Sequence, residues 1–137
     1  MQFVYEVEAG NFTKAGNASS DFKKVLKQLN VSPQIIKRTV IALYEGEVNI
    51  VAHSLGGKIE CEITPEHVEI KLIDVGPGIP DIEKAMQEGY STASAAVREM
   101  GFGAGMGLSN MKRNTDSMHI TSSEEDGTTV TLKINLT

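Results

Sequence analysis

The chain has 137 residues, a formal charge of −5 and a pI near 5.2, with 40% hydrophobic and 23% charged residues. This balance suits one ordinary globular core and predicts a single domain over residues 1–137. There is no apolar run near the ~20 residues of a spanning helix, and the start lacks the basic and apolar regions of a signal peptide, so a cytoplasmic protein without a membrane partner is expected.

The first alternation, Phe3, Tyr5 and Val7 against Val4, Glu6 and Glu8, predicts a half-exposed strand. Asn11 and Thr13 offer caps to a following helix. Ala18, Phe22, Val25, Leu26 and Leu29 then recur at helical spacing, which predicts an amphipathic helix over 14–29. Ser32-Pro33 reads as a second helix start, a capping hydroxyl followed by proline in the first turn. Ile36, Val40, Leu43, Glu47, Ile50 and Ser54 share its inner stripe, and Leu55-Gly56-Gly57 ends it with a residue free to turn left-handed. Ile59, Cys61 and Ile63, then Val68, Ile70 and Leu72, form a hairpin pattern around Thr64-Pro65-Glu66. Residues 80–88 read as a short helix, 89–107 as a loop, and 107–116 as a helix with Leu108, Met111 and Thr115 on one side. Strands over 119–123 and 128–136 close the chain around Glu125-Asp126-Gly127. Without sustained βαβ alternation, the expected fold class is α+β: a two-layer sandwich, its sheet mixed but mostly antiparallel, with helices on one face.

The acidic balance argues against nucleic acid as a partner. One cysteine, Cys61, excludes an internal disulfide; its place in a strand makes it a small buried hydrophobe. The histidines and cysteine lack zinc-like spacing.

Three segments carry chemistry. Glu45, Asn49 and His53 are four residues apart and share a helix face. An amide oxygen suits magnesium, a hard cation, and a carboxylate can take a proton from an attacking hydroxyl. Such pairs are also common on solvated faces, and alone this one favours the bland reading. Gly46 costs about 1 kcal/mol against alanine in mid-helix, and a close neighbour is one explanation. Asp74-Val75-Gly76-Pro77-Gly78-Ile79 follows a strand: its carboxylate can accept from an exocyclic amine, and its glycines let backbone approach a flat base. An ordinary turn is an equal reading. Gly101, Gly103, Gly105 and Gly107 alternate ahead of a helix, where bare amides make a phosphate cradle; the competing reading is a linker. There is no G-x-x-x-x-G-K-[ST], no dinucleotide fingerprint after a strand and no protein-kinase motif set.

Taken in order, these segments resemble the GHKL (Bergerat-fold) ATPases. The N box matches Glu45-x-x-x-Asn49. The D-x-G-x-G box matches Asp74, Gly76 and Gly78, and the second glycine box Gly103, Gly105 and Gly107. Gly127-Thr128-Thr129-Val130 resembles the terminal G-T-x-V strand, whose threonine helps hold the adenine-binding aspartate and its water. Within the superfamily the chain is similar to the small anti-sigma and switch-protein serine kinases, including the extension to His53 and the helix bearing Lys112, Arg113 and Asp116. Glycine at position 46 and the charge of Glu47 depart from that pattern, and residues 89–100 would be a lid without a matching signature.

The resemblance implies ATP and Mg2+, with Glu45 as catalytic base and Asn49 as the magnesium ligand. It implies ATP contacts from Asn49, His53, Asp74, Gly76, Gly78, Ile79, Gly103, Ala104, Gly105, Met106, Gly107, Leu108 and Thr128, with Lys112 or Arg113 as candidates beside phosphate. It implies a serine/threonine kinase acting on an STAS-type antagonist protein, a sigma factor as a second partner, and a homodimer through the first strand. A non-catalytic module gated by ATP against ADP, and a plain ATP hydrolase, are the alternatives.

Overall fold

The computed structural model describes residues 1–11, 13–53, 56–75, 107–123 and 127–136. In chain order they form β1 (Gln2–Val7), α1 (Asn17–Gln28), α2 (Pro33–His53), β2 (Gly57–Ile63), β3 (His67–Asp74), α3 (Gly107–Arg113), β4 (Ser117–Ser123) and β5 (Gly127–Asn135). The five strands lie in the order β1-β2-β3-β5-β4. Every pairing among them is antiparallel, so the described sheet is antiparallel throughout rather than mixed. The expected helix over 80–88 and the loop over 89–107 fall outside the described residues, save Gly107.

Strand alternation sets the core. Ile59, Cys61, Val68, Ile70, Leu72, Val130, Leu132 and Ile134 are buried on one sheet face, in one cluster with Phe22 and Leu26 of α1, Leu43 and Ile50 of α2, and Leu108 and Met111 of α3. This is the two-layer arrangement that half-apolar strands and striped helices require. The Phe3 and Phe22 rings meet edge to face at 6.0 Å, which ties β1 to α1. Cys61 is buried, and burial pushes its thiol pKa up to about 12.

The start of α2 is the expected cap: the Ser32 hydroxyl accepts from the Ile35 amide at 3.4 Å. The helix is over before Gly56, whose φ is +108°. The Thr64 hydroxyl, accepting from the His67 amide at 3.1 Å, closes the β2–β3 connection.

The start of α1 differs from the expectation. It begins at Asn17, not residue 14, and neither Asn11 nor Thr13 caps it. Asn11 Oδ1 instead accepts from the Thr13 hydroxyl at 3.0 Å and the Lys14 amide at 3.3 Å, which stabilises a local turn in place of a helix. The cap comes from α2. Glu47, 3% exposed, accepts from the Ala18 amide at 3.1 Å, the Ser19 amide at 3.2 Å and the Ser19 hydroxyl at 2.8 Å. A carboxylate there satisfies orphan donors and faces the positive end of the helix dipole. Leu29, expected on the apolar stripe, is 40% exposed just past the helix end.

Candidate functional site

The site grows from the outward face of α2. Glu45 and Asn49 are half-buried, while Gly46, Glu47 and Val48 between them are buried against the sheet and α1. Gly46 is required by packing. A Cβ there would lie 2.6 Å from both methyls of Leu72, so the missing side chain lets α2 settle onto β3 two residues before Asp74.

Helix α3 docks against that face. A Cβ on Gly107 would lie 2.9 Å from Asn49 Oδ1, so the last glycine of the second box presses its backbone against the Asn49 amide. One turn on, Asn110 Nδ2 donates to Glu45 Oε1 at 3.3 Å. Residues three apart on α3 thus meet residues four apart on α2. Leu108 is buried in the core, so its side chain packs beneath the site. Lys112 and Arg113 are exposed in the last turn of α3, and Arg113 Nη1 donates to Asn110 Oδ1 at 3.5 Å.

The second half lies at the end of β3. Asp74 Oδ1 accepts the Thr128 backbone N–H at 2.8 Å. The threonine thus reaches the aspartate through its main chain; its hydroxyl is paired with the Ser122 hydroxyl at 3.0 Å. Gly127 makes this possible: its φ is +78°, and a Cβ there would overlap the Asp74 carbonyl oxygen. Asp74 is held above the usual carboxylate range by burial, opposed by the Thr128 N–H. A half-buried carboxylate carrying one fixed donor has acceptor capacity left for an amine.

Of the other expected residues, His53 ends α2 and its side chain falls outside the described residues. So do Gly76, Gly78, Ile79, Gly103, Ala104, Gly105 and Met106. Asp116 is structural. Its carboxylate accepts from the Asn135 amide at 2.7 Å and pairs with Arg38 at 3.2 Å. Asn110 belongs to none of the boxes; a polar residue three beyond Gly107 is its signal in the sequence.

Comparison with known proteins gives the family. The family described as histidine kinase-, DNA gyrase B-, and HSP90-like ATPase matches residues 35–137. The chain belongs to this ATPase family. It is 32% identical over 138 residues to the anti-sigma F factor of Thermoanaerobacter sp. (strain X514), covering 95% of this chain and 93% of that protein. It is 32% identical over 112 residues to the serine/threonine-protein kinase RsbT of Bacillus subtilis (strain 168), covering 79% of this chain and 78% of RsbT. The anti-sigma F factor of Clostridium novyi (strain NT) is 27% identical over 99% of this chain and 92% of its own length. Among solved structures, that of the RsbU and RsbW domains of Rv1364c from Mycobacterium tuberculosis superposes with a TM-score of 0.69 at 17% identity. It covers 99% of this chain and 32% of that longer chain, and the likeness speaks for the fold.

Membership of the histidine kinase-, DNA gyrase B- and HSP90-like ATPases brings an ATP-binding site. The residues present fit a nucleotide: a half-buried carboxylate with spare acceptor capacity at Asp74, and at Gly107 bare backbone where a side chain would strike Asn49. They also fit magnesium in the sparse way that ion is held. No group of three or more His, Cys, Asp or Glu gathers among the described residues, and Mg2+ commonly takes one or two protein oxygens beside phosphates and water. The Asn49 amide oxygen is such a donor. No helix among the described residues is long and apolar enough to cross a membrane.

Proposed function

We propose that the chain is an ATP-dependent protein serine/threonine kinase of the anti-sigma or stress-switch type, acting in the cytoplasm on a hydroxyl of a small STAS-type antagonist protein. The observation that carries this reading is the pair on α2. Glu45, a half-buried carboxylate, stands one turn from Asn49, and both touch α3. The names of the relatives, anti-sigma F factor and serine/threonine-protein kinase, support it.

In this reading Asp74 accepts the exocyclic amine of adenine, with the Thr128 N–H taking one lone pair of Oδ1 and so fixing the carboxylate. His53 and the backbone of Gly76, Gly78, Ile79, Gly103, Ala104, Gly105, Met106, Gly107 and Leu108 surround the nucleotide. Asn49 would hold magnesium, which when bound neutralises charge on the phosphates. Glu45 orients the serine or threonine hydroxyl and takes its proton. The hydroxyl oxygen bonds to the γ-phosphorus, the bond from that phosphorus to the β,γ-bridging oxygen breaks, and ADP leaves. Placement and charge do most of the work in such transfers. A sigma factor is the second partner. A homodimer through β1 belongs to the same reading: β1 stands at the end of the strand order, and Val4 is 58% exposed.

The test is transfer of labelled phosphate from ATP to the cognate STAS-type protein, with E45A beside the wild type. Transfer lost in E45A while nucleotide still binds is the expected result. A wild-type chain that binds ATP and transfers nothing overturns the kinase reading. E45A retaining function in cells would leave gating by ATP against ADP as the role.

A further inference from the structure

We infer that Asn110 is a positioning residue, holding the Glu45 carboxylate in its working orientation and tying that orientation to the docking of α3. The inference rests on the kinase reading of Glu45. A half-buried glutamate on a helix face has several rotamers open to it, and a base must be held near one geometry to act. The Asn110 amide takes Oε1 at 3.3 Å, which restrains the side chain and leaves Oε2 as the oxygen for an incoming hydroxyl.

The amide is itself held. Its Oδ1 accepts from Arg113 Nη1 at 3.5 Å, which faces the Nδ2 donor toward Glu45. The Asn110 carbonyl accepts from Asn114 Nδ2 at 2.8 Å, which fastens the end of α3. Residue chemistry matters here. An amide donates without placing a charge beside Glu45. A lysine in its place would form an ion pair that competes with the substrate, and an aspartate would repel.

Geometry makes the arrangement conditional. Gly107 against Asn49 and Asn110 against Glu45 are contacts of one helix with one helix. Whatever seats α3 on α2 sets the magnesium ligand and the base together.

The experiment compares wild type, N110A, N110Q and E45A. Steady-state transfer from ATP to the STAS-type protein is measured alongside binding of a fluorescent ATP analogue and the side-chain amide resonances of Asn110 in 15N-labelled protein. N110A is expected to lower kcat about 10–100-fold, a typical cost of a misplaced group, with analogue affinity unchanged within about twofold on the scale of that loss. N110Q should recover part of kcat. E45A should move the Asn110 side-chain resonances. The inference is overturned if N110A keeps its kcat, if analogue affinity falls as far as kcat does, or if E45A leaves those resonances in place. A wild type that binds the analogue but transfers nothing overturns the kinase reading and Asn110's part in transfer together. The resonance shift then decides on its own whether Asn110 holds Glu45.

Discussion

Replacing Glu47 with alanine should unfasten α1 from α2. The carboxylate is 3% exposed and accepts from the Ala18 amide, the Ser19 amide and the Ser19 hydroxyl at 3.1, 3.2 and 2.8 Å. Loss of an ordinary surface cap costs about 0.5–2 kcal/mol. Here the donors left behind are buried, and each unsatisfied buried donor costs about 1–3 kcal/mol. Against this, removing the charge returns its own desolvation penalty, several kcal/mol for a buried ion, and water entering the vacated space relieves part of the rest. The expected net loss is about 2–4 kcal/mol, out of a total of roughly 7–20 kcal/mol for a chain this long. That corresponds to a fall in Tm of about 6–16 °C. Urea unfolding with an unchanged m-value gives the loss, and hydrogen exchange locates it: the amides of Ala18 and Ser19 should lose protection first. E47Q, which keeps one acceptor oxygen, should fall between, and S19A should cost about 1.5–3 kcal/mol, one hydrogen bond to a charged group. Coupling between E47A and S19A in a double-mutant cycle should be positive. A loss below about 1 kcal/mol for E47A, the size of one exposed hydrogen bond, would refute the cap.

Four further outcomes follow from the same contacts. G46A drives a methyl into Leu72, 2.6 Å from both of its methyls, and should destabilise by about 1–3 kcal/mol despite the gain in helix propensity; a smaller residue at 72 should relieve it in urea titrations. D74N should weaken ATP binding about 10–100-fold, the worth of a hydrogen bond to a charged group, without lowering Tm at neutral pH. The sign follows from burial: the folded-state pKa of Asp74 is raised, so any stability it contributes is present below its unfolded pKa and lost as pH rises through the folded one. Calorimetric titration with ATP alongside a thermal scan checks both, and undiminished affinity would exclude Asp74 from the adenine pocket. Asp116 runs the other way. The Asn135 amide first, and Arg38 after it, hold its pKa below the usual range, so its contribution is present above the unfolded value and lost as pH falls toward the folded one; D116N should flatten that acid limb in an unfolding series. The thiol of Cys61, at about 12 and buried, should react with a thiol reagent only at the rate of unfolding.

Periodicity and local chemistry are written in the sequence. The Ser32-Pro33 start of α2, the alternation of β2, β3 and β5, and the shared face of Glu45 and Asn49 follow from helix and strand geometry within a few residues. The family boxes are legible for the same reason, since each is a short run. Gly46 also signalled itself, as a residue whose cost in a helix implied a close neighbour. The misread start of α1 shows where this ends. Asn11 and Thr13 are sound caps by type, yet the donors of Ala18 and Ser19 are taken by Glu47, 28 and 29 residues away. The amide of Thr128 reaches Asp74 across 54 residues, and Asn110 reaches Glu45 across 65. Those pairings depend on how α2 lies on β3, how β5 slots beside β3 and how α3 seats on α2. Spacing along the chain marks the faces and segments that the family resemblance assigns to a nucleotide. The groups that hold them are selected by the three-dimensional fold, because a side chain's partner over such distances is chosen by packing rather than by spacing along the chain.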